Sequence, residues 1–168
     1  MKKQRGLNLF EVLIAAFLIS LGLLGMAGLQ VKSFRVTHNS YQMQQATQLV
    51  HELLERMRSN RAAVLAGSYK VAAVAEAYCA ADLATSCQGN TCDSTQMATD
   101  DMHRVICGYG GSGGIRGELL NGSLTVDCPD ASGSCAQGVR LSLQWNERNG
   151  GKNEADVEPF SLVLNTVL

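Results

Sequence analysis

Proline and tryptophan are nearly absent from this chain of 168 residues, which has two of the first and one of the second. No proline precedes Pro129, so nothing upstream of it carries the ring that kinks or ends a helix. An excess of charge of either sign is missing too. Fourteen Lys and Arg stand against fifteen Asp and Glu, a formal net charge of −1, which leaves no electrostatic footprint for nucleic acid. Cysteine is missing before Cys79. Where the six cysteines do occur (Cys79, Cys87, Cys92, Cys107, Cys128, Cys135), none forms a Cys-x-x-Cys pair, and His38, His51 and His103 do not cluster with them. That spacing argues against a zinc site. No Ser/His/Asp set and no paired acidic motif emerges, so neither an enzyme nor a cofactor is expected.

The most consequential absence is local. From Val12 to Val31, twenty consecutive residues carry no charge, and Ser20 and Gln30 are the only clearly polar side chains among them. Twenty helical residues at about 1.5 Å each span the roughly 30 Å hydrocarbon core of a bilayer. Ahead of this run stand Lys2, Lys3 and Arg5, then Gly6, with Glu11 near the start of the apolar stretch. A secretory signal peptide would have a shorter core and a small-residue cleavage site such as Gly25-Met26-Ala27. A plain single-pass anchor explains the length but not Glu11. An ionisable group costs about 2.5–3.5 kcal/mol at the centre of a bilayer, less near its edge, and so usually marks a function. The leader charges favour a cytoplasmic N-terminus, although Lys32 and Arg35 flank the other end. An even cysteine count reads as up to three disulfides, with fifteen possible connectivities, and places the C-terminal part outside the cytoplasm.

Gly22, Gly25 and Gly28 recur every three residues late in the apolar run. They allow either close helix packing in a membrane or local unwinding, since glycine weakens a helix by about 1 kcal/mol relative to alanine. Beyond Ser33 the pattern stays helical to about Ala66. Met43, Ala46, Val50, Leu53 and Met57 follow a 3-4-3-4 spacing that Leu49 and Leu54 widen. This stripe is expected to pack on the chain's own head; a coiled-coil seam is the alternative. Gly67-Ser68 breaks the helix. The alanine-rich segment Val71 to Leu83 is expected as a short helix, and Cys87 to Cys92 as a loop. Asp93 with Gln96 has the form of a capping box opening a helix that ends at Gly108. Gly108 to Gly117 lacks the GxxxxGK[ST] order of a phosphate loop and reads as a flexible connection.

The last third alternates with period two. Ser123–Cys128 is one short strand, with a partner expected across the favoured turn Asn121-Gly122. Val139, Leu141, Leu143 and Trp145 make a half-buried strand, and Phe160, Leu162 and Leu164 another, joined by the polar loop Asn146 to Pro159. Three or four antiparallel strands with one core face follow. Cys128 and Cys135 enclose a turn-rich segment between two strands and are the expected bridge.

The stretch Gly6-Leu7-Asn8-Leu9-Phe10-Glu11-Val12 resembles the type III signal of type IV prepilins, with Leu7 where Phe is usual and Asn8 where Thr or Ser is common. The resemblance implies cleavage after Gly6 by a prepilin peptidase, N-methylation of the new terminus Leu7, and an assembly role for Glu11 as the fifth mature residue. Within the pilins, Gly22 to Gln30, Gln45-Ala46-Thr47, Glu55-Arg56-Met57-Arg58-Ser59-Asn60-Arg61, Met97-Ala98-Thr99-Asp100-Asp101 and Val139 to Trp145 resemble the minor pilin family called PilV. The tryptophan and the Pro-Gly pair that this family often has around the Asp101 helix are absent.

The implied fold is α+β and type IV pilin-like. A leader of residues 1–6 precedes a membrane and filament-core helix over 7–31. Its amphipathic continuation over 32–66 packs on the C-terminal antiparallel sheet of a disulfide-stabilised head, 67–168. The implied partners are other minor pilins, the major pilin, the prepilin peptidase and an inner-membrane assembly platform. The implied location is the inner membrane with a periplasmic head, then the pilus, at or near its tip. The rivals are a minor pseudopilin of a type II secretion system, which shares the signal and the fold, and a tip adhesin. Exposed aromatic or sugar-binding side chains between Cys79 and Gly117 would support the adhesin.

Overall fold

The structure is a computed structural model and describes residues 9–74, 76–80, 86–110, 112–129, 135–148 and 157–167. Gly6 and Leu7, the expected processing point, lie outside the described residues. Helix α1 (Leu9–Ser59) begins with Glu11 in its first turn and ends with Arg56 and Arg58 in its last. Both placements complement the helix dipole. It ends earlier than the hydrophobic pattern suggests. The Asn60 N–H is shared between the carbonyls of Arg56 (3.1 Å) and Met57 (3.2 Å), and a separate turn, α2 (Arg61–Leu65), follows. Two packing units divide the chain, Met1–Ser40 and Tyr41–Leu168, so the C-terminal part of α1 belongs to the head.

Strand β1 (Val71–Val74) and a 3-10 turn (Glu76–Ala80) occupy the segment expected as a short helix. Its alanines favour a helix, but pairing with the strand β2 (Ser123–Asp127) overrides that weak preference. This pairing also corrects the expected hairpin. Asn121, at φ 52°, and Gly122 do form a turn, but it leads from a short helix rather than a strand. Helix α3 (Ser94–Cys107) and that short helix, α4 (Gly114–Glu118), separate the two paired strands in sequence. Asp93 caps α3 as its sequence predicts: Oδ1 accepts from the N–H groups of Thr95 and Gln96, and Gln96 Oε1 accepts from the Asp93 N–H.

Strands β3 (Val139–Arg148) and β4 (Val157–Thr166) complete a four-stranded antiparallel sheet of order β1-β2-β3-β4. Leu141 faces Leu164 in register, and Trp145 faces Phe160, the two rings stacking at 6.0 Å between centroids. Together these elements have the α+β, type IV pilin-like arrangement. Ala46, Val50, Leu53, Leu54 and Met57 of α1 share one core with Ala98, Met102, Val105 and Ile106 of α3 and with Leu124, Val126, Leu141, Leu143 and Trp145 of the sheet. Met43, at the outer end of the stripe, stays exposed.

The glycine-rich segment is not a loose connection. Tyr109 and Ser112 exchange both backbone hydrogen bonds, at 3.0 and 3.2 Å. Gly108 has φ +75°, and a Cβ there would lie 2.0 Å from the Ser112 carbonyl oxygen. Gly114 has φ +67°, with its Cβ position 2.5 Å from the Gly108 nitrogen. Glycine is there at both positions because backbone packs on backbone in a left-handed conformation, where a side chain would clash.

Candidate assembly interface

From Leu9 to His38 every residue of α1 is exposed. Phe10, Leu13, Phe17, Leu24 and Phe34 all stand among the exposed large apolar side chains. A soluble chain rarely leaves so long an apolar surface open, and α1 is long and apolar enough to cross a membrane. Glu11 is exposed in the first turn, and no ion pair among the described residues reaches it. Cβ atoms built at Gly22, Gly25 and Gly28 would meet nothing within 4 Å. Nothing else in the described chain therefore requires these three glycines, and their bare backbone stays open to another helix.

The head half of α1 is anchored by a polar network that sequence reasoning missed. Asp101, 4% exposed on α3, accepts from Arg56 Nη1 at 2.9 Å and from the Tyr69 hydroxyl at 2.6 Å. Arg56 also donates to Glu52 at 2.7 and 3.1 Å and to the Tyr109 hydroxyl at 3.1 Å. Asn60 Nδ2 donates to the Ser94 carbonyl at 2.7 Å, so the end of α1 is tied to the start of α3. Two segments that carry the resemblance, Glu55 to Arg61 and Met97 to Asp101, thus meet through these contacts. Burial alone would lower the Arg56 pKa, but the hydrogen bonds to Glu52, Asp101 and Tyr109 outweigh it and hold the guanidinium above its usual range. Burial, then the hydrogen bond to Asp101, pushes the Tyr69 phenol well above 10.

One signal for this network was available. Asp100 and Asp101 lie beside Ala98, Met102 and Val105 on a helix whose apolar face is buried, so at least one carboxylate had to enter the core and find a partner. Glu147 shows the same logic on β3. It continues the inward alternation after Trp145 and is 2% exposed. Its Oε1 accepts from the indole N–H at 3.4 Å, while Oε2 has no partner among the described residues.

The six cysteines form three disulfides: Cys79–Cys107, Cys87–Cys92 and Cys128–Cys135. The third is the pair singled out by its turn-rich spacer. The first joins positions 28 residues apart and ties the 3-10 turn to the end of α3. Chain entropy gives the bridge closing the longest loop the largest stabilisation. Among the described residues, no group of His, Cys, Asp and Glu is placed to hold a metal ion.

Residues 28–103 match a family model described as "Tt1218-like: Type IV pilin Tt1218". The matched stretch runs from the end of the apolar segment through the Arg56 network to α3, leaving Glu11 and strands β2–β4 outside it. No curated protein and no solved structure matches the chain. The family match, with the apolar helix, the sheet and the disulfides, supports a type IV pilin role, with membrane anchoring and pilus association.

Proposed function

We propose that the chain is a minor pilin of the PilV type, cleaved after Gly6, N-methylated at Leu7 and incorporated at or near the pilus tip to prime assembly. The observation that carries this reading is the division of α1. One continuous helix leaves its apolar N-terminal stretch uncovered, with a single carboxylate in the first turn, and gives its C-terminal stretch to the head's core. A helix of this kind exchanges lipid for a bundle of like helices without exposing apolar surface to water, because both surroundings are dry.

Glu11 then needs a cation, and α1 offers none before Lys32. Cleavage after Gly6 creates one, the α-amino group of a neighbouring mature subunit. Pairing with it satisfies a charge that is otherwise expensive at membrane depth and sets the axial offset between subunits. The partners are other minor pilins, the major pilin, the prepilin peptidase and an inner-membrane assembly platform, with the head in the periplasm before assembly. N-terminal mass analysis of protein from cells with a prepilin peptidase tests the first step. Loss of residues 1–6 is expected; a mature terminus at Gly28 would establish ordinary signal-peptide cleavage and remove the proposal.

A further inference from the structure

Lys32 and Arg35 stand immediately beyond the uncharged run that ends at Val31, and the Glu11 pairing leaves them without a task. In the proposed orientation they lie on the head side of the membrane. Basic residues there oppose the topology that Lys2, Lys3 and Arg5 favour, so their place calls for a compensating partner.

The helix does not supply that partner. Both residues are exposed on α1, and among the described residues no ion pair reaches either. No Asp or Glu occurs between Glu11 and Glu52. Glu11 lies about 30 Å back along the helix at roughly 1.5 Å per residue, far beyond the roughly 4 Å of an ion pair. Glu52 is engaged by Arg56 at 2.7 Å. The neighbouring hydroxyls are turned onto the backbone: Thr37 Oγ1 donates to the Ser33 carbonyl and Ser40 Oγ to that of Val36, each at 2.9 Å. Two unpaired cations are what this turn presents.

Their setting fixes the depth. Large apolar side chains are interleaved with them, Val31 at 54% exposure, Phe34 at 75% and Val36 at 59%. Charge among uncovered apolar side chains suits the boundary between acyl chains and headgroups. There Lys and Arg lay their methylene stems along apolar neighbours and carry the charge outward. Being three positions apart on a helix, Lys32 and Arg35 also share a side and can converge on one anion.

We propose that Lys32 and Arg35 bind the phosphate of an anionic phospholipid in the leaflet on the head side. A phosphodiester supplies the missing negative charge, and both an arginine fork and a lysine ammonium suit its oxygens. The attached acyl chains give Phe34 and Val36 an apolar covering. The inference rests on α1 crossing a bilayer, but not on cleavage, tip placement or the Glu11 pair.

The test reconstitutes the full chain into phosphatidylcholine vesicles containing a minority of phosphatidylglycerol. Electron spin resonance measures how much of each chain-labelled lipid the protein immobilises. Lys2→Gln, Lys3→Gln and Arg5→Gln are introduced together, so that the leader does not contribute. Phosphatidylglycerol is expected at the protein about threefold or more above phosphatidylcholine, since each basic residue near an anionic surface strengthens attraction about fivefold. Adding Lys32→Gln and Arg35→Gln should bring the ratio to about one, whereas Lys32→Arg should retain the enrichment. Three results would overturn the proposal. Equal immobilisation of the two lipids would do so and leave the basic pair to a protein partner. An enrichment that survives Lys32→Gln with Arg35→Gln would place the lipid elsewhere. No immobilised lipid of either kind would show that α1 does not enter the bilayer, and would remove the membrane reading as well.

Discussion

Leu9–Ser40 and Tyr41–Ser59 are parts of one helix with opposite fates. In the first no residue is buried; in the second five are, each within a core shared with α3 and the sheet. Helix propensity does not separate them. Composition does. From Val12 to Val31 the first stretch carries no charge and is apolar on every side, with no polar face to turn to water. The second carries an apolar stripe between Glu52, Glu55, Arg56 and Arg58 and needs only one covered face. The same backbone is thus written for two solvents, lipid or other helices at one end and a water-bathed head at the other.

Truncations to alanine in the two regions should therefore diverge. Trp145→Ala removes the largest fully buried side chain of the head and should cost about 3–5 kcal/mol in urea unfolding of the full chain. Leu24→Ala, in the uncovered stretch at 72% exposure, should leave the same transition in place. Equal losses would erase the distinction between the regions. Asp101→Asn strips the charge that Arg56 and Tyr69 share, and about 3 kcal/mol of destabilisation is expected from breaking so buried a pair. A loss under about 1 kcal/mol would reduce the network to a surface ion pair. Asp93→Ala, removing one α3 cap, should cost only about 1 kcal/mol.

Alkaline titration sharpens the picture of the head. Tyr69 binds its proton more tightly folded than unfolded, because of burial and then the Asp101 bond. Its contribution to stability is thus complete below about pH 10 and declines as pH rises past that value. Tyr109 is shifted the other way by Arg56 and Arg104. Tyrosinate absorbance should lose its earliest step in Tyr109→Phe and a late step in Tyr69→Phe.

What sequence showed well was periodic. The α1 stripe, the Asp93 cap, and strands β3 and β4 each rest on local spacing or a local hydrogen bond, and the structure contains all of them. The Cys128–Cys135 bridge was legible for the same reason, its two cysteines being only seven positions apart in sequence. The features that were not legible depend on distant partners. Val71–Val74 is a strand only because β2 lies beside it, and β2 comes some fifty residues later. The glycine segment looked loose because glycine permits both freedom and close backbone packing, and only contacts such as Gly108 against Ser112 decide between them. Arg56 and Asp101 lie 45 residues apart; their types announced charges, not a pair. Of the candidate site, Glu11 could be placed at the head of the apolar run from sequence.

Glu11→Ala tests the central claim most directly. Cells expressing this variant should cleave the chain after Gly6 and insert it into the membrane as before, since an apolar residue only favours insertion. Sheared filaments should then contain much less of the variant than of the unmodified subunit, measured by immunoblot against total cell content. Incorporation of Glu11→Ala at the unmodified level would contradict the account: α1 would not be assembling through a charge pair at its first turn.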